Sequence, residues 1–275
     1  MFDTFVMVDW SAAGTPKTGA DSIWIAVTRG GDVGLSNPRT RIAAEAELRA
    51  LFASETAAGR RVLAGFDFAF GYPAGLTARL GRPGWRTIWA DLAHRIEEGA
   101  KNANNRFDVG AALNAHFDAP GPFWGNGLKR DIPGLPRKKP QGWGGALPVN
   151  RRLCDGKAPA AQEVWKLAGA GSVGGQALTG IAMLERLRHA TGAAVWPFEW
   201  PTVSAVVLAE VFPSLWPLAP HPGEVRDEAQ VRSVAQRLLR WQARGRLQRA
   251  MDLPLSQPSV VRDEEGWILG LGETP

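Results

Sequence analysis

Four acidic residues stand where a folded chain can bring carboxylates together. Asp9 closes an apolar run at 5–9, Asp67 closes one at 62–67, and Glu210 lies near the end of a third at 204–211. Asp227 opens an amphipathic segment, 227–243, in which Val231, Val234, Ala235, Leu238 and Leu239 repeat with the spacing of a buried helical face. Asp227 precedes Val231 by one helical turn and so stands above that same face. If the strands ending in Asp9 and Asp67 are neighbours, the two carboxylates leave one sheet edge side by side. Carboxylates crowded in a low dielectric are tolerated only with raised pKa values or a cation. Mg²⁺ or Mn²⁺, which prefer oxygen ligands, are the cations that suit such donors. Each acid also has a plainer reading. Asp227-Glu-Ala-Gln230 fits a capping box, and Asp67 suits a turn before Gly71-Tyr-Pro73. Asp9 can bind amides of the following loop, and Glu210 can pair with an arginine.

A second group of residues points to anions. Gly169-Ala-Gly-Ser-Val-Gly-Gly-Gln176 runs straight into a helical pattern. Amides at a helix start attract phosphate, and glycines let it approach closely. Ser172, Gly174 and Gly175 are therefore candidates for holding a phosphorylated cofactor or substrate. A tight loop before a buried helix is the equal alternative, because the spacing is neither a P-loop nor a dinucleotide fingerprint. Between residues 101 and 157 there are ten cations against four anions, whereas the whole chain carries only +5. That asymmetry suggests nucleic acid or a phosphorylated small molecule as partner, with Arg137, Lys138 and Lys139 as backbone contacts. A solvated loop is the competing reading. Trp85, Trp124 and Trp143 lie in or beside this stretch, where bases can stack, although most tryptophans anchor cores. Asn102, Asn104, Asn105 and Arg106 form a polar cluster before Phe107, suited to substrate contact or to capping a helix. The four histidines are scattered without metal-ligand spacing, and Cys154 alone makes neither a zinc site nor an internal disulfide. There is no Gly-x-Ser-x-Gly elbow to support a serine hydrolase.

The elements that must position these residues are legible as periodicity. Strands are expected at 5–9, 22–28, 32–36, 62–67, 193–196 and 204–211, with a short one at 267–270. Helices are expected at 42–58, 85–99, 109–117, 175–190 and 227–243. Residues 119–149 contain 13 Gly or Pro among 31, too many for a helix or a central strand. The chain thus reads as one α/β domain, 1–275, with a long basic insertion at about 72–160 of the kind that carries function. At 45% hydrophobic and 21% charged, it is not a disordered chain. No signal peptide and no membrane-spanning run is recognisable, so a cytoplasmic location is expected.

Several motifs carry a resemblance: Val8-Asp-Trp-Ser11, Asp21-Ser-Ile-Trp24, Gly65-Phe-Asp-Phe-Ala-Phe-Gly-Tyr-Pro73, Glu210-Val-Phe-Pro213, Asp227-Glu228 and Glu265-Gly-Trp-Ile268. Together they resemble an uncharacterised bacterial family catalogued as domain of unknown function 429, grouped with ribonuclease-H-like folds as predicted nucleases. The resemblance spans most of the chain, and Gly65 to Pro73 is its most specific part. It implies a ribonuclease-H-like mixed sheet flanked by helices, with Asp9, Asp67 and Asp227 as metal ligands. The resulting expectation is a divalent-metal nuclease or phosphodiesterase acting on nucleic acid, in which Asp9 is indispensable and Glu210 a helpful fourth acid. A nucleotide-binding or phosphotransfer protein of the actin-like or sugar-kinase type, serving cofactor biosynthesis, is the second expectation. The core that such proteins share with ribonuclease-H-like folds implies a phosphate grip by Asp9 and the small hydroxylic loop at Ser11, with Gly171 to Gly175 as the second contact. A non-catalytic binding module is the third.

Overall fold

The computed structural model describes residues 1–81, 84–118, 120–200, 203–253 and 259–273. The chain begins with β1 (Thr4–Asp9), β2 (Trp24–Arg29) and β3 (Asp32–Ser36), followed by α1 (Arg41–Ala57) and β4 (Val62–Phe66). A long segment then carries α2 (Leu76–Arg79), α3 (Trp85–Arg95), α4 (Arg106–Asn114) and α5 (Leu153–Lys157). The regular pattern resumes with α6 (Gly174–Thr191), β5 (Ala194–Trp196), β6 (Val206–Glu210), α7 (Arg226–Ala243) and α8 (Leu247–Met251). The strands form one mixed sheet in the order β3-β2-β1-β4-β6-β5. The β1–β2 and β2–β3 pairs are antiparallel, whereas β1–β4, β4–β6 and β6–β5 are parallel.

Strand alternation assigns the two faces. Phe5, Met7, Leu63, Val207 and Ala209 pack with Val231, Val234, Ala235 and Leu238 of α7. Their neighbours Val6, Val8, Val62, Ala64, Phe66, Val206 and Leu208 pack with Leu48 and Phe52 of α1 and Leu178 and Ile181 of α6. Covered on both faces, β1, β4 and β6 need apolar residues at nearly every position, which explains their unbroken hydrophobic runs. Among the described residues no helix is long and apolar enough to cross a membrane.

Residues 120–149 form neither helix nor strand, as their Gly and Pro density requires; Ala119 lies outside the described residues. They are nonetheless part of the main core. Phe123, Ile132, Leu135 and Leu147 are buried in the α1–α6 cluster, and the Tyr72 ring lies 5.5 Å from that of Phe123 and 5.3 Å from that of Trp165. Two boundaries differ from expectation. The helix expected through Gly99 ends at Arg95, where Ile96 turns extended. The helix expected at 109–117 spans Arg106–Asn114, and the Asn114 side chain leaves the helical pattern to bond Phe123 and Gly134.

The strand expected at 267–270 is absent. Trp267, Ile268 and Leu269 are buried, but Leu269 makes one backbone bond, its N–H donating to the Glu210 carbonyl at 2.9 Å, before the chain turns back. Burial there serves packing against α7, not sheet extension. The preceding turn is fastened beneath the exit of β4. Glu264 accepts from the Thr77 N–H at 2.9 Å and Glu265 from the Ala74 N–H at 3.0 Å. A methyl group at Gly71 would lie 2.2 Å from the Glu264 carbonyl oxygen and 2.6 Å from that of Glu265. Backbone cannot yield as a flexible side chain does. Gly71→Ala is therefore expected to cost about 3 kcal/mol, at the upper end of overpacking. Urea denaturation checks this, and a loss under roughly 1 kcal/mol would contradict the close approach.

Candidate functional site

Sheet register brings the first two acids together. Val8 pairs with Phe66 across β1 and β4, so the next residues, Asp9 and Asp67, leave adjacent parallel strands. The Asp67 N–H still donates to the Val8 carbonyl at 3.2 Å. By alternation Asp9 follows Phe5 and Met7, and Asp67 follows Leu63, toward the face that α7 covers. Asp227 lies in the first turn of α7, where the helix dipole favours negative charge. The capping-box reading of Asp227 fails, because the residue at the N-cap position is Val225. Asp227 Oδ2 instead accepts the Asp21 N–H at 2.6 Å, a bond that pins the entrance of α7 to the loop before β2. Asp67 is tied in a similar way, its Oδ1 accepting the Trp10 N–H at 2.8 Å.

The electrostatics report the crowding. Burial, then repulsion by Asp67, Asp227 and Asp21, pushes the Asp9 carboxyl well above its ordinary value. Asp67 is raised to about 6, chiefly by burial, although the Trp10 amide opposes the shift. Asp227 is raised as well, again mainly by burial. No cation appears among the main influences on Asp9 or Asp67. Asp21, exposed and left-handed with φ of 52°, is the acid that sequence reasoning did not single out. Its carboxylate is held by Lys17 at 3.2 Å. Only its place within the Asp21-Ser-Ile-Trp24 motif signalled it, since nothing local shows that a loop will fold back on two distant acids.

Glu210 is placed differently. It registers with Phe66, one step before the level of Asp67 and on the alternation of the α1–α6 face. Its Oε1 and Oε2 accept from the Arg152 guanidinium at 2.6 and 2.7 Å, and Oε2 also accepts the Phe70 N–H at 2.9 Å. Arg152 further donates to Asp155 at 2.8 Å and to the Glu265 carbonyl at 3.1 Å. Glu210 and Asp67 line one cavity of about 50 Å³, but the Glu210 oxygens are committed to this buried ion-pair network. Of the two readings of Glu210, pairing with an arginine is the arrangement found.

The glycine-rich helix start packs against the loop that follows Asp9. The Gln176 amide donates to the Trp10 carbonyl at 2.6 Å, and a methyl group at Gly175 would fall 3.3 Å from Ala12 Cβ and 3.0 Å from the Leu167 carbonyl. Gly174 is as confined, 2.3 Å from the Val164 carbonyl by the same measure. Both glycines are thus required by packing. Ser11 Oγ accepts the Ala13 N–H at 3.3 Å, and Ser172 lies in the turn before α6 with its N–H donating to the Gly169 carbonyl.

The basic residues are largely neutralised. The Arg137 guanidinium binds Asp131 at 2.7 Å and the Leu128 carbonyl at 2.8 Å, which folds its own loop. Lys139 pairs with Glu163 at 2.6 Å and lies 5.4 Å from the centre of the Trp143 ring. Lys138 is exposed and has no ion-pair partner among the described residues.

The donor set can be tested against a divalent cation. Asp67 Oδ1 accepts the Trp10 amide and Asp227 Oδ2 the Asp21 amide, while the carboxyls of Asp67 and Asp227 both push the Asp9 carboxyl upward. Hard carboxylate oxygens without a neutralising side chain suit Mg²⁺ or Mn²⁺. Among the described residues no three His, Cys, Asp or Glu side chains form a ready-made ligand cage. No family model, curated protein or solved structure matches the chain.

Proposed function

We propose that the chain is a divalent-metal-dependent nuclease or phosphodiesterase on a ribonuclease-H-like sheet, with Asp9, Asp67 and Asp227 as the metal ligands. The placement of these three acids at the ends of β1 and β4 and the start of α7, with all three carboxyls pushed upward, carries the reading. The order of β3, β2, β1 and β4, with β2 antiparallel to both neighbours, supports the fold assignment. So does the resemblance to the family of unknown function 429. When bound, Mg²⁺ or Mn²⁺ supplies an activated water and polarises the phosphoryl oxygens. The Trp10 amide holds Asp67 Oδ1 in place, and the Asp21 amide does the same for Asp227 Oδ2, which orients both carboxylates. With their carboxyls raised, Asp9 and Asp67 would have to lose protons for a cation to be held between them.

A second reading, phosphotransfer or nucleotide binding, is favoured by the side-by-side placement of the loop after Asp9 and the start of α6. Tight binding of ATP with little affinity for nucleic acid would select it over the first.

The test of the leading reading is a pH series of Mn²⁺ binding. Asp67 is raised from 3.8 to about 6, so between those values the folded protein keeps a proton that the unfolded chain has lost. Metal-free stability is therefore expected to fall as pH rises through that window. Mn²⁺ competes with the same proton, so its affinity should rise over the same window and continue upward as Asp9 ionises. Asp67→Asn should bind Mn²⁺ at least about tenfold more weakly than wild type at pH 7.5, a loss of about 1.4 kcal/mol. Equal affinity in both, or affinity flat with pH, would remove the shared site.

A further inference from the structure

Four cations of the long segment, Arg130, Arg137, Lys139 and Arg152, are held by carboxylates, whereas Arg106, beside the site, is not. Arg130 pairs with Asp108 at 2.6 Å, Arg152 with Glu210 at 2.6 Å, and Lys139 with Glu163 at 2.6 Å. Arg41 at the start of α1 grips Glu98 with 2.7 Å contacts from both Nε and Nη2. Arg106 is mostly buried, yet no carboxylate lies within ion-pair distance of it among the described residues. Its Nη1 donates to Asn104 Oδ1 at 2.8 Å, its guanidinium stacks 4.3 Å from the centre of the Phe107 ring, and its enclosed Nε has no hydrogen-bond partner. The nearest carboxylate influence, Glu98, is already spent on Arg41, and Arg41 itself repels. Together with burial, that repulsion lowers the Arg106 pKa to about 10, which still leaves it charged at neutral pH.

An enclosed cation with no counter-ion is costly, and such a group persists where an anion completes it. Its surroundings make an anion the fitting complement. Arg106 Nε lies 3.0 Å from the position a side chain would take at Gly175, so it reaches the opening turn of the 18-residue α6. On the other side is the loop after Asp9, with Ala12 packed on Gly175. Three carbonyls of that loop are occupied: Trp10 by Gln176 at 2.6 Å, Ser11 by Arg41 at 3.1 Å, and Ala13 by Arg41 at 2.8 Å. The N–H groups of Ser11 and Ala12 make no hydrogen bond among the described residues. Arg106 and the loop carrying the unbonded Ser11 and Ala12 amides thus flank the opening turn of α6 from two sides.

We propose that Arg106 is an anion-binding residue, and that it receives a phosphoryl group of the ligand beside the Asp9 loop. Phosphate matches it because a guanidinium with free nitrogens gives two parallel, charge-assisted bonds to a tetrahedral oxyanion. The group comes from a nucleic-acid backbone or from a free nucleotide, two sources with the same chemistry. The assignment does not rest on the metal site, and chelator-treated protein tests it alone.

The experiment measures binding of inorganic phosphate, a short single-stranded oligodeoxynucleotide and ADP, all in excess EDTA. Wild type, Arg106→Gln and Arg106→Lys are compared, with thermal melting of each in phosphate-free buffer. Arg106→Gln is expected to weaken phosphate by about tenfold, since hydrogen bonds to a charged group are worth about that much. Arg106→Lys keeps the charge without the fork and should recover part of the loss. Whichever of the oligonucleotide or ADP weakens in parallel identifies the source. Removing an uncompensated buried charge should leave the melting temperature of Arg106→Gln equal to that of wild type or higher. Phosphate, oligonucleotide and ADP all binding the variant as they bind wild type would overturn the assignment. So would a lowered melting temperature with phosphate affinity unchanged, which would make Arg106 a packing residue.

Discussion

Asp9→Asn is expected to abolish phosphodiester cleavage, by at least about a thousandfold, or roughly 4 kcal/mol of transition-state stabilisation, at every Mn²⁺ concentration. Asp9 is the hub of the site. It alone feels Asp67, Asp227 and Asp21 together, and unlike Asp67 and Asp227 it has no oxygen engaged by a backbone amide among the described residues. It therefore has the most ligating capacity to lose. The same substitution should raise metal-free stability, because it removes the member of the cluster that its neighbours repel most. Opposite signs in turnover and melting temperature separate a functional acid from a structural one. Cleavage within about tenfold of wild type at saturating Mn²⁺, or a lowered melting temperature, would contradict the assignment.

Glu210→Gln is expected to behave in the reverse manner. Both Glu210 oxygens are bound to Arg152, which is itself 3% exposed. Removing one partner of a buried pair leaves the other desolvated and uncompensated, at a cost of about 3–5 kcal/mol. Asp155 remains on Arg152 and puts the cost toward the lower end. Mn²⁺ affinity per folded molecule should stay within about threefold of wild type. Replacing both partners by apolar residues, Glu210→Leu with Arg152→Met, should cost clearly less than the sum of the single changes. Urea melts of the three variants decide this; additive losses would mean that Glu210 and Arg152 act independently. A large loss of metal affinity in Glu210→Gln would return it to the ligand set.

The contrast between Asp9 and Glu210 marks what the sequence made legible. Strand runs at 5–9 and 62–67 place both aspartates at strand exits, and the parity of Phe5, Met7 and Leu63 turns them toward one face. The same parity, applied to Val206 and Leu208, already aligns Glu210 with the opposite face. Its partner was not legible, because Arg152 lies 58 residues away with no periodic pattern leading to it. Asp227 stands in the first turn of α7, and of its two readings the capping box is the one not found. A capping box is a contact within one helix, and here the amide of Asp21, 206 residues distant, outcompetes it. The terminal apolar run at 267–270 shows the complementary limit, since hydrophobicity records burial and not the number of strand bonds available. Residues 120–149 were rightly denied regular structure, but nothing in their composition indicates that Phe123 and Trp165 would enclose Tyr72 in the main core.

The bond from the Asp21 amide to Asp227 joins residues separated by 206 positions, and it sets an order on the making of the protein. Chain emerges N-terminus first during synthesis, and the sheet around β1 has most of its strands before α7 exists. Until residue 227 is available, Asp9 and Asp67 form an incomplete pair, and the loop at Asp21 lacks the helix that pins it. The nascent protein thus acquires its strands early, and the core on the α7 face and its third carboxylate late, through a contact of high sequence separation whose closure is slow. Any chemistry that needs all three acids is withheld from the growing chain until α7 has docked.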